Sequence, residues 1–210
     1  RVLFPTGVTA THSAADTQFG VVERPVGRPQ GDGWVQPPQP TAPHESWVDI
    51  SNGRTGLAVL SVGLPEHEVT PEATGLTVAL TLLRCVGRLS RNDLRTRAGH
   101  AGPGYATPEA QCQGVHNFRY ALVPHVGGWQ DADVVREALT MRVPLVAIAT
   151  TRASGALPVE HSFVACEGAI VSAIKQTATG NGVVIRVYNP TPEERRAVIR
   201  TAIPHRGVRE

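Results

Sequence analysis

The feature that most constrains this chain is a short run of alternation closed by one tight turn. Trp47-Val48-Asp49-Ile50 leads into Ser51-Asn52-Gly53-Arg54, and Gly56-Leu57-Ala58-Val59-Leu60 follows. Period-two apolar patterning marks half-buried strands, and Asn-Gly accepts the positive φ angles that hairpin turns require. The segment therefore reads as a β-hairpin, which needs further strands to cover it. Glu66 to Val69 supplies a short one. The run from Gly75 to Arg88 supplies the best core strand, with Leu76, Val78, Leu80 and Leu82 on one face.

Around this centre the chain is rich in turns. Seventeen Pro and 21 Gly with a single Met favour many reversals over long helices. Val2-Leu3-Phe4, closed by Pro5-Thr6-Gly7, and Phe19 to Glu23 are strand candidates. Between Arg24 and Ser46 prolines and glycines dominate, with Trp34 as the one large apolar anchor. A loop of that length is either passive or disordered, or it covers another domain.

From Arg91 to Trp129 a charged start runs through Gly99, Gly102, Pro103 and Gly104 to Gln111-Cys112-Gln113-Gly114. It then becomes a strand with Phe118, Tyr120 and Leu122 alternating against Asn117, Arg119 and Ala121. An irregular loop feeding a strand is how a β-scaffold presents polar groups at its rim. The segment Gln130 to Met141 has helical spacing with acids at its start, and it is the one convincing helix. Pro144 ends it, and Leu145-Val146-Ala147-Ile148 reads as strand again.

A Thr/Gly/Pro linker from Thr150 to Pro158 marks a boundary. Beyond it Phe163–Glu167, Ile170–Lys175 and Val183–Tyr188 are strands, the last two joined across Gly180-Asn181-Gly182. Asn189-Pro190-Thr191-Pro192 forms a rigid turn, and Ala197, Ile199 and Thr201 alternate in a closing strand. The fold class is mainly β and antiparallel with one helix: a packed sandwich over residues 1–157 and the start of a second over 158–210.

Charge and cysteine content remove several functions. A formal charge of +2 without basic clustering gives no nucleic-acid footprint. No apolar run approaches the length of a membrane span, and no signal peptide is evident. The three cysteines Cys85, Cys112 and Cys166 form no CxxC pair, so neither a zinc ribbon nor a disulfide framework is indicated. Cys85 and Cys166 read as buried thiols in apolar strands, and a reducing cytoplasm fits them. The start at Arg1, without a methionine, reads as a piece of something longer.

Chemistry is equally sparse. There is no Gly-x-Ser-x-Gly elbow and no phosphate loop. His67-Glu68 lacks the second histidine of a zinc protease, and the eight histidines share no i, i+2 or i, i+4 spacing. Asp131, Asp133, Glu193 and Glu194 read as solvated helix-start or turn residues. Folding could still unite distant histidines; His116 and His125, near the two ends of one strand, read as structural imidazoles. The residues alone offer no catalytic residue and no metal ligand set.

Several strings together carry a resemblance: Trp47-Val48-Asp49-Ile50-Ser51, Gly56-Leu57-Ala58-Val59-Leu60, Gly63-Leu64-Pro65-Glu66, Leu80-Thr81-Leu82-Leu83-Arg84 and Thr107-Pro108-Glu109-Ala110-Gln111-Cys112. His116-x-Phe118-x-Tyr120-Ala121-Leu122-x-Pro124-His125-x-Gly127-x-Trp129 continues the series. Arg1-VLFPTG, Val159-Glu160-His161-Ser162-Phe163 and Arg186-Val187-Tyr188-Asn189-Pro190-Thr191 extend it along nearly the whole chain. In order and spacing this resembles the C-terminal part of the glycoside hydrolase family 38 α-mannosidases.

The resemblance implies a galactose-mutarotase-like supersandwich followed by part of a terminal β-sandwich. It implies a large zinc-dependent retaining exo-enzyme with an N-terminal barrel and a helical bundle as partners of this region. Retaining hydrolysis needs a carboxylate nucleophile and an acid/base carboxyl. In the family the nucleophile and the zinc ligands lie in the barrel and bundle regions. The chain itself is then expected to hold no cofactor and to be inert alone.

The same resemblance points to the loop before the Asn117–Leu122 strand as a lining of the mannoside pocket. Glu109, Gln111 and Gln113 are the candidates, with Arg95, Arg97 and His100 outside them. Amides and carboxylates suit sugar hydroxyls because they pair at defined geometry. Two other readings stay open: a stand-alone carbohydrate-binding β-sandwich and a purely structural spacer.

Overall fold

A computed structural model describes residues 1–151 and 154–208 of the chain, so residues 152 and 153 of the expected linker lie outside it. The strands are β1 (Val2–Pro5), β2 (His12–Thr17), β3 (Gly20–Pro25), β4 (Thr41–Pro43), β5 (Trp47–Ser51), β6 (Thr55–Val62), β7 (Glu66–Glu72) and β8 (Gly75–Leu80). They continue with β9 (Asp93–Leu94), β10 (Arg97–Ala98), β11 (Arg119–Val126), β12 (Val164–Glu167), β13 (Ile170–Gln176), β14 (Val183–Tyr188) and β15 (Val198–Thr201). The helix α1 spans Val134–Arg142, and a 3-10 turn spans Pro108–Gln111. The protein is mainly β, and nine strand pairings among the described residues are antiparallel.

The chain divides into two compact units, Arg1–Gln18 with Val22–Pro144, and Phe19–Val21 with the described residues from Leu145 onward. The first holds a four-stranded sheet in the order β1-β8-β7-β4 and a five-stranded sheet in the order β11-β6-β5-β2-β3. The β5–β6 hairpin forms as its turn residues dictate. Gly53 takes φ +80, and the Asn52 side-chain oxygen accepts the amides of Arg54 and Thr55, both at 3.0 Å. Register pairs Trp47 with Leu60 and Val48 with Val59.

Alternation then sorts the side chains onto two faces. Val48, Ile50 and Val59 meet Val69, Leu76, Val78 and Leu80 of the other sheet in one core. Trp47, Ala58 and Leu60 point the opposite way, where α1 lies on β5 and β6 with Val134, Val135 and Ala138 buried. Trp129 packs on Trp47 with ring centroids 5.4 Å apart. Asp16 pins the start of β5 by accepting the amides of Glu45, Ser46 and Trp47 at 2.8 to 3.0 Å.

Several expectations change. The strand after the long loop runs over Arg119–Val126 rather than Asn117–Leu122, because it follows β6 along its whole length. The apolar run from Gly75 keeps its ladder only to Leu80; Thr81 turns its amide and hydroxyl to Glu66, and the chain departs from the sheet. Cys85, beyond that exit, is therefore exposed rather than buried, and Cys166 is half-buried. Leu145-Val146-Ala147-Ile148 is not a strand: no neighbour pairs with it among the described residues, and its apolar side chains stand in the open.

The second unit contains two two-stranded ladders, β12 with β15 and β13 with β14. The Asn189 side-chain oxygen accepts the Thr191 amide at 3.0 Å, which fixes the expected rigid turn. Phe19 meets Tyr188 edge to face at 5.6 Å, and Arg186 lies over the Phe19 ring.

Candidate functional site

The loop that joins β8 to β11 is held by an irregular ladder. Val86 donates to the Ala110 carbonyl, Thr107 to Gly87 and Leu89 to Tyr105, while Arg88 and Ala106 form a β-bridge. The ladder ends in the 3-10 turn, where Pro108 presets the first dihedral. Cys112 then takes the left-handed conformation, φ 49, and reverses the chain. Glu109 and Gln111 sit on this turn, and Gln113 follows the Cys112 cap. The His116 Nε2–H donates to the Cys112 carbonyl at 2.7 Å and holds the exit in place.

The other three candidates lie elsewhere in the loop. Arg95 is at the tip of the β9–β10 hairpin and Arg97 is on β10. Arg97 is occupied, donating to the carbonyls of Gly99 and Arg91, both at 3.3 Å. His100 follows the hairpin and is exposed. Glu109 and Gln113 are exposed and Gln111 half-buried, so their polar ends are available at a rim. Among the described residues no hydrogen bond joins any two of these six. The turn groups Glu109, Gln111 and Gln113; Arg95 and Arg97 belong to a separate hairpin.

Folding also unites groups that no local spacing reveals. His125 Nε2 donates to Asp49 Oδ2 at 2.6 Å, with both side chains almost fully buried. The register explains it: Ser51, Gly56 and His125 stand side by side across β5, β6 and β11. A Cβ on Gly56 would come within 2.7 Å of the His125 ring and 2.8 Å of Ser51 Cβ, so glycine makes room for the imidazole. Burial raises the Asp49 pKa, and the hydrogen bond from His125 opposes that rise. His125 Nδ1 is buried with no partner among the described residues.

His44 and His67 form a second buried pair, Nδ1 to Nδ1 at 3.1 Å. Ser61 Oγ donates to the Leu64 carbonyl at 3.2 Å, so it accepts from His44 Nε2 at 3.0 Å. His44 Nδ1 is then the acceptor and His67 Nδ1 the donor, with both rings neutral. Desolvation lowers His44 to about 4 and His67 to about 3, in keeping with that arrangement.

Among the described residues no three His, Cys, Asp or Glu side chains gather as a metal site. Among them, too, no helix is long and apolar enough to cross a membrane.

Comparison with known proteins places this geometry. Residues 1–88 match the model of the glycosyl hydrolases family 38 C-terminal domain. A Halalkalibacterium halodurans protein named for mannosylglycerate hydrolysis is 30% identical over 205 residues, spanning 96% of this chain and 21% of its own length. Human alpha-mannosidase 2C1 is 26% identical over 192 residues, 90% of this chain and 16% of that protein. The crystal structure of an alpha-mannosidase from Enterococcus faecalis V583 superposes with a TM-score of 0.77 at 30% identity, covering 95% of this chain and 21% of that one. The chain thus spans about a fifth of the relatives it matches. Sequence and fold agree along nearly its whole length: residues 1–88 carry the glycosyl hydrolases family 38 C-terminal domain, and the chain as a whole resembles the C-terminal β-region of these relatives.

Proposed function

We propose that this chain is the accessory β-region of a longer, cytoplasmic, zinc-dependent retaining α-mannosidase. It buttresses a catalytic barrel and helical bundle, and its Pro108–Gln113 turn lines the mannose pocket. The observation that carries this reading is the pair of coverages: 95% of this chain against 21% of a solved α-mannosidase chain. On this reading zinc and the nucleophile belong to the rest of that protein. Free thiols at Cys85, Cys112 and Cys166 suit a reducing compartment.

Surface features support packing against further protein. β11 is the free edge of its sheet, and its register puts Tyr120 opposite Ser61 and Leu122 opposite Val59, on the core-facing side. Phe4 of β1 reaches Tyr120 at 5.5 Å, yet Tyr120 and Leu122 stay 40% and 47% exposed. A core face left open along an edge strand calls for a cover.

The turn has the chemistry for a sugar. A carboxylate accepts two hydroxyls, and an amide donates and accepts at once. Glu109, Gln111 and Gln113 present both kinds of group, with Arg95, Arg97 and His100 as the outer rim. The test is kinetic, in the longer enzyme: Gln111→Ala and Gln113→Ala should each lower kcat/KM for an aryl α-mannoside by about tenfold or more. Unchanged kcat and KM in both variants would leave the region a spacer.

A further inference from the structure

Away from the loop, the five-stranded sheet carries a recess of about 350 Å³ beside the β5–β6 turn. Thr11, Ser13, Glu23, Asp49, Ser51 and Trp129 form much of its wall, and none of the six loop candidates lines it. The geometry points to a second, non-catalytic carbohydrate site in this recess, taking one neutral hexopyranose ring.

The wall chemistry sets the ligand class. Thr11, Ser13 and Ser51 contribute hydroxyls that both donate and accept, and Asp49 and Glu23 only accept. Asn52 also lines the recess; its oxygen is taken by the Arg54 and Thr55 amides, which leaves its amide N–H groups to donate. Trp129, with Ala10 and Ala14, adds an apolar wall to these polar groups, the mixture a sugar ring presents in return. No Lys or Arg lines the recess, and two carboxylates do. Phosphate, sulfate and acidic sugars are therefore disfavoured by repulsion.

The polar wall is also held rigid in advance. Asp49 is only 1% exposed and is fixed by His125 at 2.6 Å, and the ring itself sits in the space Gly56 leaves. A buried carboxylate locked in orientation pairs with a hydroxyl at little cost in side-chain freedom. The site does not depend on the role proposed for the Pro108–Gln113 turn.

The test is titration of the 210-residue chain with D-mannose and methyl α-D-mannoside, read by amide and indole chemical shifts, with inorganic phosphate as the anionic probe. Saturable shifts are expected at residues 10–14 and 49–52 and at the Trp129 indole, with a dissociation constant on the order of millimolar. Phosphate should give none. Glu23→Gln and Thr11→Ala should each weaken binding by about fivefold or more. Glu23 is exposed on β3, so its variant keeps the fold and decides the matter even if the Thr11 variant does not. Gln111→Ala and Gln113→Ala should bind as the parent chain does, which separates this site from the turn. Absence of saturable shifts at the recess up to roughly 100 mM sugar, shifts confined to residues 95–113, or full binding by the Glu23 variant would overturn the assignment.

Discussion

The two units of this chain are built from similar strands and reach opposite states of completeness. In the first, β8 is buried at every position, and Val48, Ile50, Val59, Val78 and Leu80 lose all contact with water. In the second, no described residue from Leu145 onward is fully buried, and two-stranded ladders are all that form. Isolated two-stranded ladders are marginal in water. A buried core is a property of sheets facing each other, so the first unit is the platform for the loop, open only along the β11 edge. The second leaves its described strand residues half-buried or exposed.

That contrast is sharpened first by truncation. Leu80→Ala should cost about 2–5 kcal/mol, since a fully buried leucine leaves a cavity. Ile174→Ala, at a half-exposed site, should cost less than about 1 kcal/mol. All three tryptophans (Trp34, Trp47, Trp129) lie in the first unit, so fluorescence during urea unfolding reads that unit alone. The Leu80 variant should move the midpoint and the Ile174 variant should not. Equal shifts would break the comparison.

Acid should also act on the first unit. Burial lowers His44 to about 4 and His67 to about 3 when folded, but the unfolded imidazoles bind protons below their ordinary value of 6.5. The unfolded chain therefore holds more protons in that window. Stability is fully present above pH 6.5 and falls as pH drops toward 4, by on the order of a few kcal/mol. Asp49 works the other way, its raised pKa favouring the folded state as it protonates. A urea midpoint by tryptophan fluorescence that stays flat from pH 7 to 4 would contradict neutral buried histidines.

A more local effect is expected at Gly56. Gly56→Ala should push the imidazole off Asp49 and cost about 1–3 kcal/mol, from overpacking and a lost buried hydrogen bond. The His125 ring protons should shift in the NMR spectrum. An unshifted ring would mean the dyad does not rely on that glycine.

Much of the first unit was legible because its signals are local. Asn52-Gly53 names a turn, and alternation on either side names the strands. β2 escaped notice because His12-Ser13-Ala14-Ala15-Asp16-Thr17 has few of the β-branched or aromatic residues that mark strands. β4 escaped because it is three residues ending in proline. At Leu145–Ile148 the opposite happened: strong strand propensity found no partner, and propensity without pairing does not make a strand. The turn residues Glu109, Gln111 and Gln113 stand as candidates through the resemblance alone, since no local motif singles them out. The Asp49–His125 dyad was not, since its members are 76 positions apart and meet through the register of three strands. His44 and His67, 23 apart, meet for the same kind of reason.

Under the proposed function this chain supports a mannosidase without containing its catalytic set. The direct measurement is hydrolysis of an aryl α-mannoside by the purified 210-residue chain, with and without added zinc. No turnover above the uncatalysed rate is expected under either condition. Zinc-dependent turnover that survives repurification would place the catalytic set within these residues and contradict it.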